Sequence, residues 1–332
     1  MNGKRIAIVG ATGAVGEEMM RVMERRNFPV GSLRLLASAR SVGKTMKFRC
    51  KDIAIELLSE DSFGDIDIAF FSAGGDQSRA FVPAAVKAGA VVVDNSSAFR
   101  MQEDVPLVVP EVNGEDVAKH KGIIANPNCT TAITLMALAP LHRRFGVKRI
   151  FASSYQSASG AGARGISELH EQMRQAMADE TPKHEVFAHQ LAFNVIPHID
   201  GFTENLYTKE EMKMENEVRR ILHMPDFRAS VTCVRVPVYR AHSVAVSAEF
   251  EKPVSLEAAR EAIAAFPGIQ IVDIPQDKIY PMPIDAAGKD DCFVGRIRRD
   301  CAFDNGLAFW VSGDQLLRGA ALNAVLIAEK LL

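Results

Sequence analysis

Apolar runs alternate with amphipathic stretches along the first third of the chain. The opening segment KRIAIVGATGAVGEEMMRVMERR has the pattern of a buried strand, a glycine-rich turn and an amphipathic helix. The segment QSRAFVPAAVKAGA predicts another helix. Further strands are predicted at 33–38, 66–73, 90–96, 106–112 and 122–127. Strands that alternate with helices in this way predict a parallel sheet covered on both faces.

The pattern changes after residue 150. Two long helices are predicted, at about 163–180 and about 208–222. The runs ASVTCVRVPV and HSVAVSAEFE alternate apolar and polar positions, and this predicts antiparallel strands. The final segment, DQLLRGAALNAVLIAEKLL, predicts a helix with an almost wholly apolar face, which we expect to pack on a domain.

Composition narrows the class of protein. The 332 residues are enough for roughly two domains, and 48% hydrophobic with 24% charged residues is typical of a globular protein. A net charge of −2 argues against a nucleic-acid or anionic-membrane partner. The first apolar run is too short for a signal peptide, and no run approaches the length of a membrane span. We therefore expect a cytoplasmic protein.

Neither a disulfide framework nor a metal site is predicted. The chain has five cysteines and no CxxC pair. His184 and His189 are five residues apart, unlike the four-residue spacing of HExxH zinc sites. By default, a lone cysteine is interpreted as a small buried hydrophobe, and this interpretation is applied to Cys50, Cys233, Cys292 and Cys301.

A glycine cluster follows the first predicted strand. Gly10, Gly13 and Gly16 have the spacing GxxGxxG, which is close to the GxGxxG dinucleotide fingerprint. Gly10 would allow the tight turn, and Gly13 would let a pyrophosphate approach the backbone N–H groups at the helix N-terminus. The alternative is a purely structural turn, but the position in an alternating pattern favours a nucleotide.

The end of the second strand indicates which nucleotide. NAD sites usually have an acidic residue there, whereas residues 33–50 contain none. Arg40, with the hydroxyls of Ser38 and Ser41 and the nearby Lys44, suits a 2′-phosphate through charge-assisted hydrogen bonds. A solvated basic loop is the alternative. NADP is favoured over NAD.

One cysteine has a distinctive setting, in the segment IIANPNCTTAITLMALAPL. Pro127 ends a strand, Asn128 is a plausible helix cap, and Cys129 then falls in the first helical turn. The positive end of the helix dipole stabilises a thiolate at that position. Beside a nicotinamide, a thiolate suggests aldehyde oxidation through a thioester. The alternative is a cysteine that merely starts a buried helix.

Segments along the whole chain resemble one family. In order and at the family's spacing, from about residue 4 to 332, the chain resembles aspartate-β-semialdehyde dehydrogenase in GATGAVGEEMMRVMERRNFPV, LLASARSVGK, DNSSAFRM, VVPEVN, NPNCTT, YQSASGAGA, CVRVPVYRAHS, TKEEMKMENEVRRIL and LRGAALNAVLIAEKLL. The resemblance implies an α/β fold. A Rossmann-like doubly wound parallel sheet (1–127 plus 313–332) would bind NADP. A second α+β domain (128–312) would carry catalysis and dimerisation, and the C-terminal helix would return to the first domain.

The resemblance also implies a reaction. Aspartyl-β-phosphate and NADPH would be converted reversibly to aspartate semialdehyde, NADP and phosphate, a step that feeds lysine, threonine, methionine and diaminopimelate synthesis. These small molecules would be the substrates of a homodimer with no nucleic-acid or membrane partner. Cys129 would be the nucleophile and His242 the acid/base, and Gln156 would orient the substrate and the acyl intermediate.

The remaining site residues are also implied by the resemblance. Arg235 would hold the substrate α-carboxylate, Glu210 the ammonium, and Arg100 and Lys213 the phosphate, with Asn128 also in contact with the substrate. The cofactor residues would be Gly10, Thr12, Gly13, Ala14, Val15, Ser38, Arg40, Ser41, Ser159, Gly160 and Gln315.

Three points follow from spacing and from a departure. Arg235 and His242 are seven residues apart, so the chain between them must turn for both to enter one site. Glu210 and Lys213 share a helix face, and the alternative to a substrate role is a surface ion pair. Gln315 stands where the family has asparagine, so the amide that meets the nicotinamide would be on a longer arm.

Two other readings compete with this function. An N-acetyl-glutamyl-phosphate reductase would act on a substrate without a free ammonium group, and Glu210 would then have no cation to bind. A non-catalytic paralogue could serve as a binding protein, although Cys129, Gln156, Arg235 and His242 are all present.

Overall fold

The computed structural model describes residues 3–332, which divide into two compact units. The first comprises the chain up to Asn128 together with Ala320–Leu332, and the second comprises Cys129–Gly319. The domain boundaries expected from the sequence, after residues 127 and 312, stay a prediction. Among the described residues, no helix is both long and apolar enough to cross a membrane.

The first unit is built on a seven-stranded sheet with the strand order β3-β4-β2-β1-β5-β6-β7. Its strands are β1 (Lys4–Val9), β2 (Val30–Ala37), β3 (Thr45–Phe48), β4 (Lys51–Leu57), β5 (Ile68–Phe71), β6 (Val91–Asp94) and β7 (Ile123–Ala125). Its helices before residue 129 are α1 (Ala14–Arg25), α2 (Gly75–Lys87) and α3 (Pro110–Asn113). All neighbouring strands pair in parallel except β3 with β4. The predicted parallel sheet is confirmed.

The strand predicted at 106–112 is wrong. Residues 110–113 form α3, and Leu107 makes only an isolated parallel bridge to Ala125. Pro110 lies at the start of α3, where its fixed φ favours a helix and its missing N–H costs nothing. The Asn113 side chain closes the turn, since it accepts from the Val109 N–H at 3.0 Å and donates to the Leu107 carbonyl at 2.9 Å.

The second unit has a six-stranded sheet with the order β11-β12-β13-β10-β8-β9. The strands are β8 (Val147–Gln156), β9 (Arg228–Arg235), β10 (His242–Phe250), β11 (Ile269–Ile271), β12 (Cys292–Arg299) and β13 (Gly306–Gly313). The helices that follow α3 are α4 (Cys129–Phe145), α5 (Gly162–Met177), α6 (Lys209–Ile221), α7 (Leu256–Ala264) and α8 (Pro283–Ala286), and α9 (Leu322–Glu329) belongs to the first unit. The two long helices predicted after residue 150 are confirmed as α5 and α6.

One strand of the second unit runs in an unexpected direction. As predicted, β10 pairs antiparallel, with β8 and with β13. The antiparallel prediction is wrong for β9, which pairs with β8 in parallel. The connection from β8 to β9 contains α5 and α6, and a long crossover of this kind returns the chain to the same end of a sheet.

The apolar C-terminal segment is a helix only in part. A π-helical turn (Leu317–Ala321) precedes α9, so the predicted helix begins late. In the first unit, α9 buries most of its side chains, and Asn323 donates to the Val108 carbonyl at 2.9 Å. The Glu329 carboxylate binds Arg26 at 2.7 Å. The predicted packing of this helix on a domain is confirmed.

Candidate active site

The glycine cluster forms a strand–turn–helix corner in the first unit. Gly10 directly follows β1 with a φ of +83°, and a Cβ added there would lie 2.6 Å from the Ser72 carbonyl oxygen. A Cβ at Gly16 would lie 2.6 Å from the Gly10 carbonyl oxygen, so α1 packs on the turn at van der Waals distance. Gly13 caps α1 without a side-chain hydrogen bond. Among the described residues, no side chain caps the first turn of α1, which leaves its N–H groups available to an anion.

A cavity of about 460 Å³ lies beside this corner within the first unit. It is lined by Gly10, Thr12, Gly13, Ala37, Ser38, Arg40, Leu58, Ser72, Ala73, Gln77 and Phe81. Arg40 is exposed, and these lining residues include no carboxylate. A cavity with free helix N–H groups, a guanidinium and no carboxylate fits a dinucleotide that carries a 2′-phosphate.

The predicted cofactor residues fall into three groups. Gly10, Thr12, Gly13, Ser38 and Arg40 line the cavity. Ala14 and Val15 begin α1, and Ser41 ends the short helical turn after β2. The other three lie in the second unit, and they are Ser159, Gly160 and Gln315. Sequence reasoning missed Leu58, Ser72, Gln77 and Phe81, although Ser72 directly follows β5 and could be found from the rule that parallel strands end at one edge.

Arg100 is held by the backbone of the first unit. Its side chain is buried, and its guanidinium donates at 2.8 Å to the carbonyls of both Asn126 and Asn95. Asn128 is also buried and is the last residue of this part of the unit. Their proposed contacts with the substrate stay predictions.

Cys129 is the first residue of α4, so the predicted position in the first helical turn is confirmed. Its side chain is partly exposed. Gly319 lies against it, since a Cβ at Gly319 would be 2.9 Å from the Cys129 Cα. The residue is therefore fixed at the positive end of a 17-residue helix and remains accessible.

The other cysteines differ in their surroundings. Cys233 and Cys292 are buried as expected, and burial raises the pKa of Cys233 to about 12. The expectation of burial is wrong for Cys50 and Cys301, which are exposed. Cys50 and Arg49 both have positive φ, and they form the two-residue turn between β3 and β4. Cys301 follows the end of β12.

Glu210 is the centre of a buried polar cluster. One carboxylate oxygen accepts from Gln156 Nε2 at 3.1 Å, and the other accepts from Lys213 Nζ at 2.8 Å. Lys213 also donates to Asp200 at 3.0 Å. Burial lowers the pKa of Lys213, but the Glu210 and Asp200 carboxylates raise it further, so the net shift is upward and the ammonium stays charged.

Glu210 and Lys213 share one helix face, as predicted, and form an ion pair. The alternative of a surface ion pair is wrong, because Glu210 is only 8% exposed. Sequence reasoning missed Asp200. It lies in an irregular segment with a φ of +70°, and no motif marks it.

Arg235 is the last residue of β9, and His242 is the first residue of β10. Residues 236–241 lie outside both strands, so the predicted turn is confirmed. Arg235 is buried, and its Nη1 donates to the Ser157 carbonyl at 2.7 Å. Burial lowers the pKa of Arg235, whereas Glu210 and then the Cys129 sulfur act in the opposite direction. Cys129 is thus close enough to Arg235 for a thiolate to interact with the guanidinium.

His242 is fully buried at the end of the same cluster. Its Nδ1 accepts from the Ser157 N–H at 3.1 Å and lies 3.1 Å from the Ser157 hydroxyl. Burial, followed by the positive charge of Arg235, lowers the pKa of His242 to about 3, so the ring is neutral near pH 7. Ser157 was not anticipated from the sequence.

Gly160 covers the two basic side chains. A Cβ there would lie 2.7 Å from Arg235 Nη1 and 3.1 Å from His242 Cε1. The second unit therefore brings together Gln156, Gly160, Glu210, Lys213, Arg235 and His242, while the glycine corner and Arg100 belong to the first unit. Among residues 3–332, no group of three or more histidine, cysteine or acidic residues is arranged to hold a metal ion.

Two family models match the chain. One, described as the NAD binding domain of semialdehyde dehydrogenase, matches residues 5–120, and the other, described as its dimerisation domain, matches residues 138–318. Aspartate-semialdehyde dehydrogenase of Aquifex aeolicus is 53% identical over 99% of this chain and 98% of its own length.

Solved structures agree. Aspartate semialdehyde dehydrogenase II of Vibrio cholerae, complexed with ASA, has a TM-score of 0.97 and 44% identity over 100% of this chain and 98% of its own. Aspartate semialdehyde dehydrogenase of Candida albicans with NADP has a TM-score of 0.75 and is 25% identical, with 99% of this chain and 98% of the Candida chain covered. With these similarities along nearly its entire length, the chain belongs to the aspartate-semialdehyde dehydrogenase family.

Proposed function

We propose that the chain catalyses the reversible, NADPH-dependent reductive dephosphorylation of aspartyl-β-phosphate to aspartate semialdehyde. The observation that carries the proposal is the position of Cys129, accessible at the N-terminus of α4 and close enough for a thiolate to interact with the guanidinium of Arg235 in the buried cluster. The Vibrio cholerae relative, described as a complex with ASA, supports the choice of substrate.

The chemistry begins at the Cys129 sulfur. The thiolate attacks the carbonyl carbon of the acyl phosphate, the C–O bond to phosphate breaks, and a thioester remains. NADPH, when bound, supplies the hydride that reduces this thioester. The carbonyl oxygen then carries negative charge, which a nearby N–H donor stabilises, and the C–S bond breaks to give the aldehyde. In total, NADPH and one proton convert the acyl phosphate to aldehyde, NADP and phosphate.

The buried cluster is proposed to hold the amino-acid end of the substrate. Arg235 presents a planar guanidinium, which suits a carboxylate through two parallel hydrogen bonds. Glu210 would bind the ammonium, and Gln156, hydrogen-bonded to Glu210, would orient the carbonyl. Lys213 and Arg100 are proposed phosphate ligands, with Asn128 as a further contact. Lys213 and Arg100 are already oriented by protein partners, which reduces the entropy lost on binding.

NADP is proposed as the cofactor of the first unit. Gly10, Thr12 and Gly13 would bind the pyrophosphate, and Ser38 and Arg40 the 2′-phosphate, in the cavity that they line. The Candida albicans relative, described with NADP, supports this choice. Ala14, Val15, Ser41, Ser159, Gly160 and Gln315 are proposed as further cofactor contacts.

We further propose a homodimer formed through the second unit, which the match to a dimerisation domain supports. A cytoplasmic location is proposed as well. The exposed free thiols of Cys50 and Cys301 suit a reducing compartment.

The test is phosphate-dependent NADP reduction with aspartate semialdehyde, compared with N-acetyl-glutamate semialdehyde. We expect turnover of the first only, because Glu210 lacks an ammonium partner in the second. Cys129→Ala should abolish turnover while NADPH binding is retained. Cys233→Ala is the matched control, since that thiol is buried, and it should remain active. Turnover of the N-acetylated compound alone would show that the chain is an N-acetyl-glutamyl-phosphate reductase. Full activity of Cys129→Ala would rule out a thioester on Cys129.

A further inference from the structure

Four buried side chains of the second unit form a hydrogen-bonded row that ends at His242. The amide nitrogen of Gln315 bonds to the Ser159 hydroxyl. Ser159 Oγ lies 3.0 Å from Ser157 Oγ, which lies 3.1 Å from His242 Nδ1. The four residues are between 0% and 3% exposed, so the row is shielded from bulk water.

The Gln315 end of the row has a fixed direction. Gln315 Oε1 accepts from the Ala241 N–H at 2.7 Å, and this orients the amide so that its NH₂ group faces Ser159. An amide nitrogen only donates, so Ser159 accepts from Gln315, whereas either hydroxyl of the Ser159–Ser157 pair can be the donor. The Ser157 backbone N–H donates to Nδ1.

The Ser157 backbone N–H determines the tautomer of His242, because a backbone N–H can only donate to Nδ1. A ring nitrogen that accepts hydrogen bonds carries no proton, and the neutral imidazole therefore carries its proton on Nε2. Among the described residues, Nε2 has no hydrogen-bond partner although it is buried. It is the nitrogen left free for a substrate.

We propose that Gln315 is a positioning residue for the reaction: through Ser159 it holds Ser157, whose N–H and hydroxyl bond to His242 Nδ1, so that the ring offers its Nε2–H to the substrate carbonyl oxygen. The inference rests on the proposed function. It gives a use to the glutamine that stands where asparagine is expected, because the longer side chain reaches Ala241 and Ser159 together.

The same amide supports the backbone next to His242. Ala241 has a φ of +74°, a left-handed conformation that is strained for a residue with a Cβ. Its N–H is bonded to Gln315, and Asp314 binds Arg240 at 2.6 Å. Gln315 thus fixes both the direction from which the chain enters β10 and the hydrogen-bonding of the ring.

The surroundings of His242 keep the ring neutral. Arg235 from β9 presents a positive charge, Glu210 from α6 a negative one, and burial disfavours a second proton. A neutral ring with a fixed Nε2–H stabilises the negative charge that develops on the carbonyl oxygen, since the donor is already aligned before the hydride arrives.

The experiment compares Gln315→Glu and Gln315→Met with Ser243→Ala in the full chain. Glutamate keeps an acceptor for Ala241 but cannot donate to Ser159, and methionine has similar length without either function. Ser243 is the matched control, because its hydroxyl is buried beside His242 but pairs with Ser312 at 2.8 Å. Tautomers are read from the nitrogen chemical shifts of ¹⁵N-histidine-labelled protein, with His242→Asn assigning the signals.

In the unsubstituted protein we expect a protonated Nε2 and an unprotonated Nδ1. Both Gln315 variants should change the His242 nitrogen shifts and lower kcat for aspartate semialdehyde by roughly 10²-fold. KM should change much less, and Ser243→Ala should keep the original shifts and kcat.

Three results would overturn the proposal. They are a protonated Nδ1 in the unsubstituted protein, a Gln315→Met protein with the original kcat, and a Gln315→Met protein that only loses NADPH affinity while its histidine shifts stay unchanged. The two proposals can fail separately. If the unsubstituted protein is inactive, the proposed function is contradicted. If its His242 nevertheless has the expected tautomer and Gln315→Glu changes the His242 nitrogen shifts, the positioning of His242 by Gln315 is supported.

Discussion

Gly319 lies so close to Cys129 that a Cβ added to Gly319 would be 2.5 Å from the Cys129 Cβ. Gly319→Ala should therefore displace the start of α4, because the contacted atoms belong to or adjoin the backbone. We expect a stability loss of about 1–3 kcal/mol, as in overpacked cores, and a strong loss of kcat. Urea unfolding and steady-state kinetics measure both.

The control for this substitution is Gly64→Ala. Gly64 has a φ of −54°, and nothing lies within 4 Å of a Cβ added there. That variant should keep the original stability and kcat. A Gly319→Ala protein with unchanged kcat would mean that the position of Cys129 tolerates displacement.

Arg40→Ala tests whether Arg40 recognises the 2′-phosphate on the adenosine ribose of NADPH. If the guanidinium binds the 2′-phosphate, NADPH should lose roughly 1.5–3 kcal/mol of binding free energy, and NADH almost none. Fluorescence titration with each cofactor measures the difference. Lys47→Ala removes an exposed positive charge outside the cavity lining and should spare both affinities. Equal losses for NADPH and NADH would show that Arg40 does not read the phosphate.

Arg235→Lys separates substrate positioning from the reactivity of the thiol. A lysine keeps the charge but cannot form two parallel bonds to a carboxylate, so kcat/KM for aspartate semialdehyde should fall by roughly 10²-fold. Alkylation of Cys129 by iodoacetamide should continue at close to the original rate. Arg228→Lys, at the exposed start of β9, is the control. If Arg235→Lys keeps full kcat/KM, Arg235 does not bind the substrate carboxylate. If the alkylation rate of Cys129 falls sharply in this variant, Arg235 instead supports the nucleophile.

His242 predicts a pH dependence of stability. Its ordinary pKa is 6.5, and burial with the charge of Arg235 lowers the pKa of the folded protein to about 3. The unfolded chain therefore binds the extra proton first as the pH falls. The stability that the neutral ring contributes is fully present above pH 6.5 and is progressively lost as the pH falls from 6.5 towards 3.

The measurement compares urea unfolding of the unsubstituted protein and His242→Gln at several pH values. Below the unfolded pKa, the unsubstituted protein should lose up to about 1.4 kcal/mol more per pH unit than the variant. Parallel pH profiles for the two proteins would show that His242 has the same proton affinity folded and unfolded.

The first unit was largely predictable because its signals are local. A buried strand followed by Gly10, Gly13 and Gly16 marks the corner by itself. The errors arose where local signals conflict or where distant parts decide. Pro110 interrupts an apolar run and starts a helix, and the direction of β9 depends on a crossover that its own alternation does not record.

For the active-site cluster, the sequence predicted the chemical roles of single residues but not the hydrogen bonds that hold them together. The resemblance named Glu210 and Arg235, and spacing placed Glu210 beside Lys213. Spacing does not reveal partners that act through the backbone, such as Ser157, whose carbonyl holds Arg235 and whose N–H binds His242. Asp200 was hidden for a similar reason, since an irregular segment brings it to Lys213.

The return of residues 320–332 to the first unit has a consequence for synthesis on the ribosome. Translation completes all of the second unit before α9 is made, so the first unit must wait for its last helix. Until then the surface beneath α9, including the Val108 carbonyl that Asn323 binds, lacks its cover. A released chain that ends at Gly319 would leave this apolar surface exposed and prone to aggregation, although its second unit is complete.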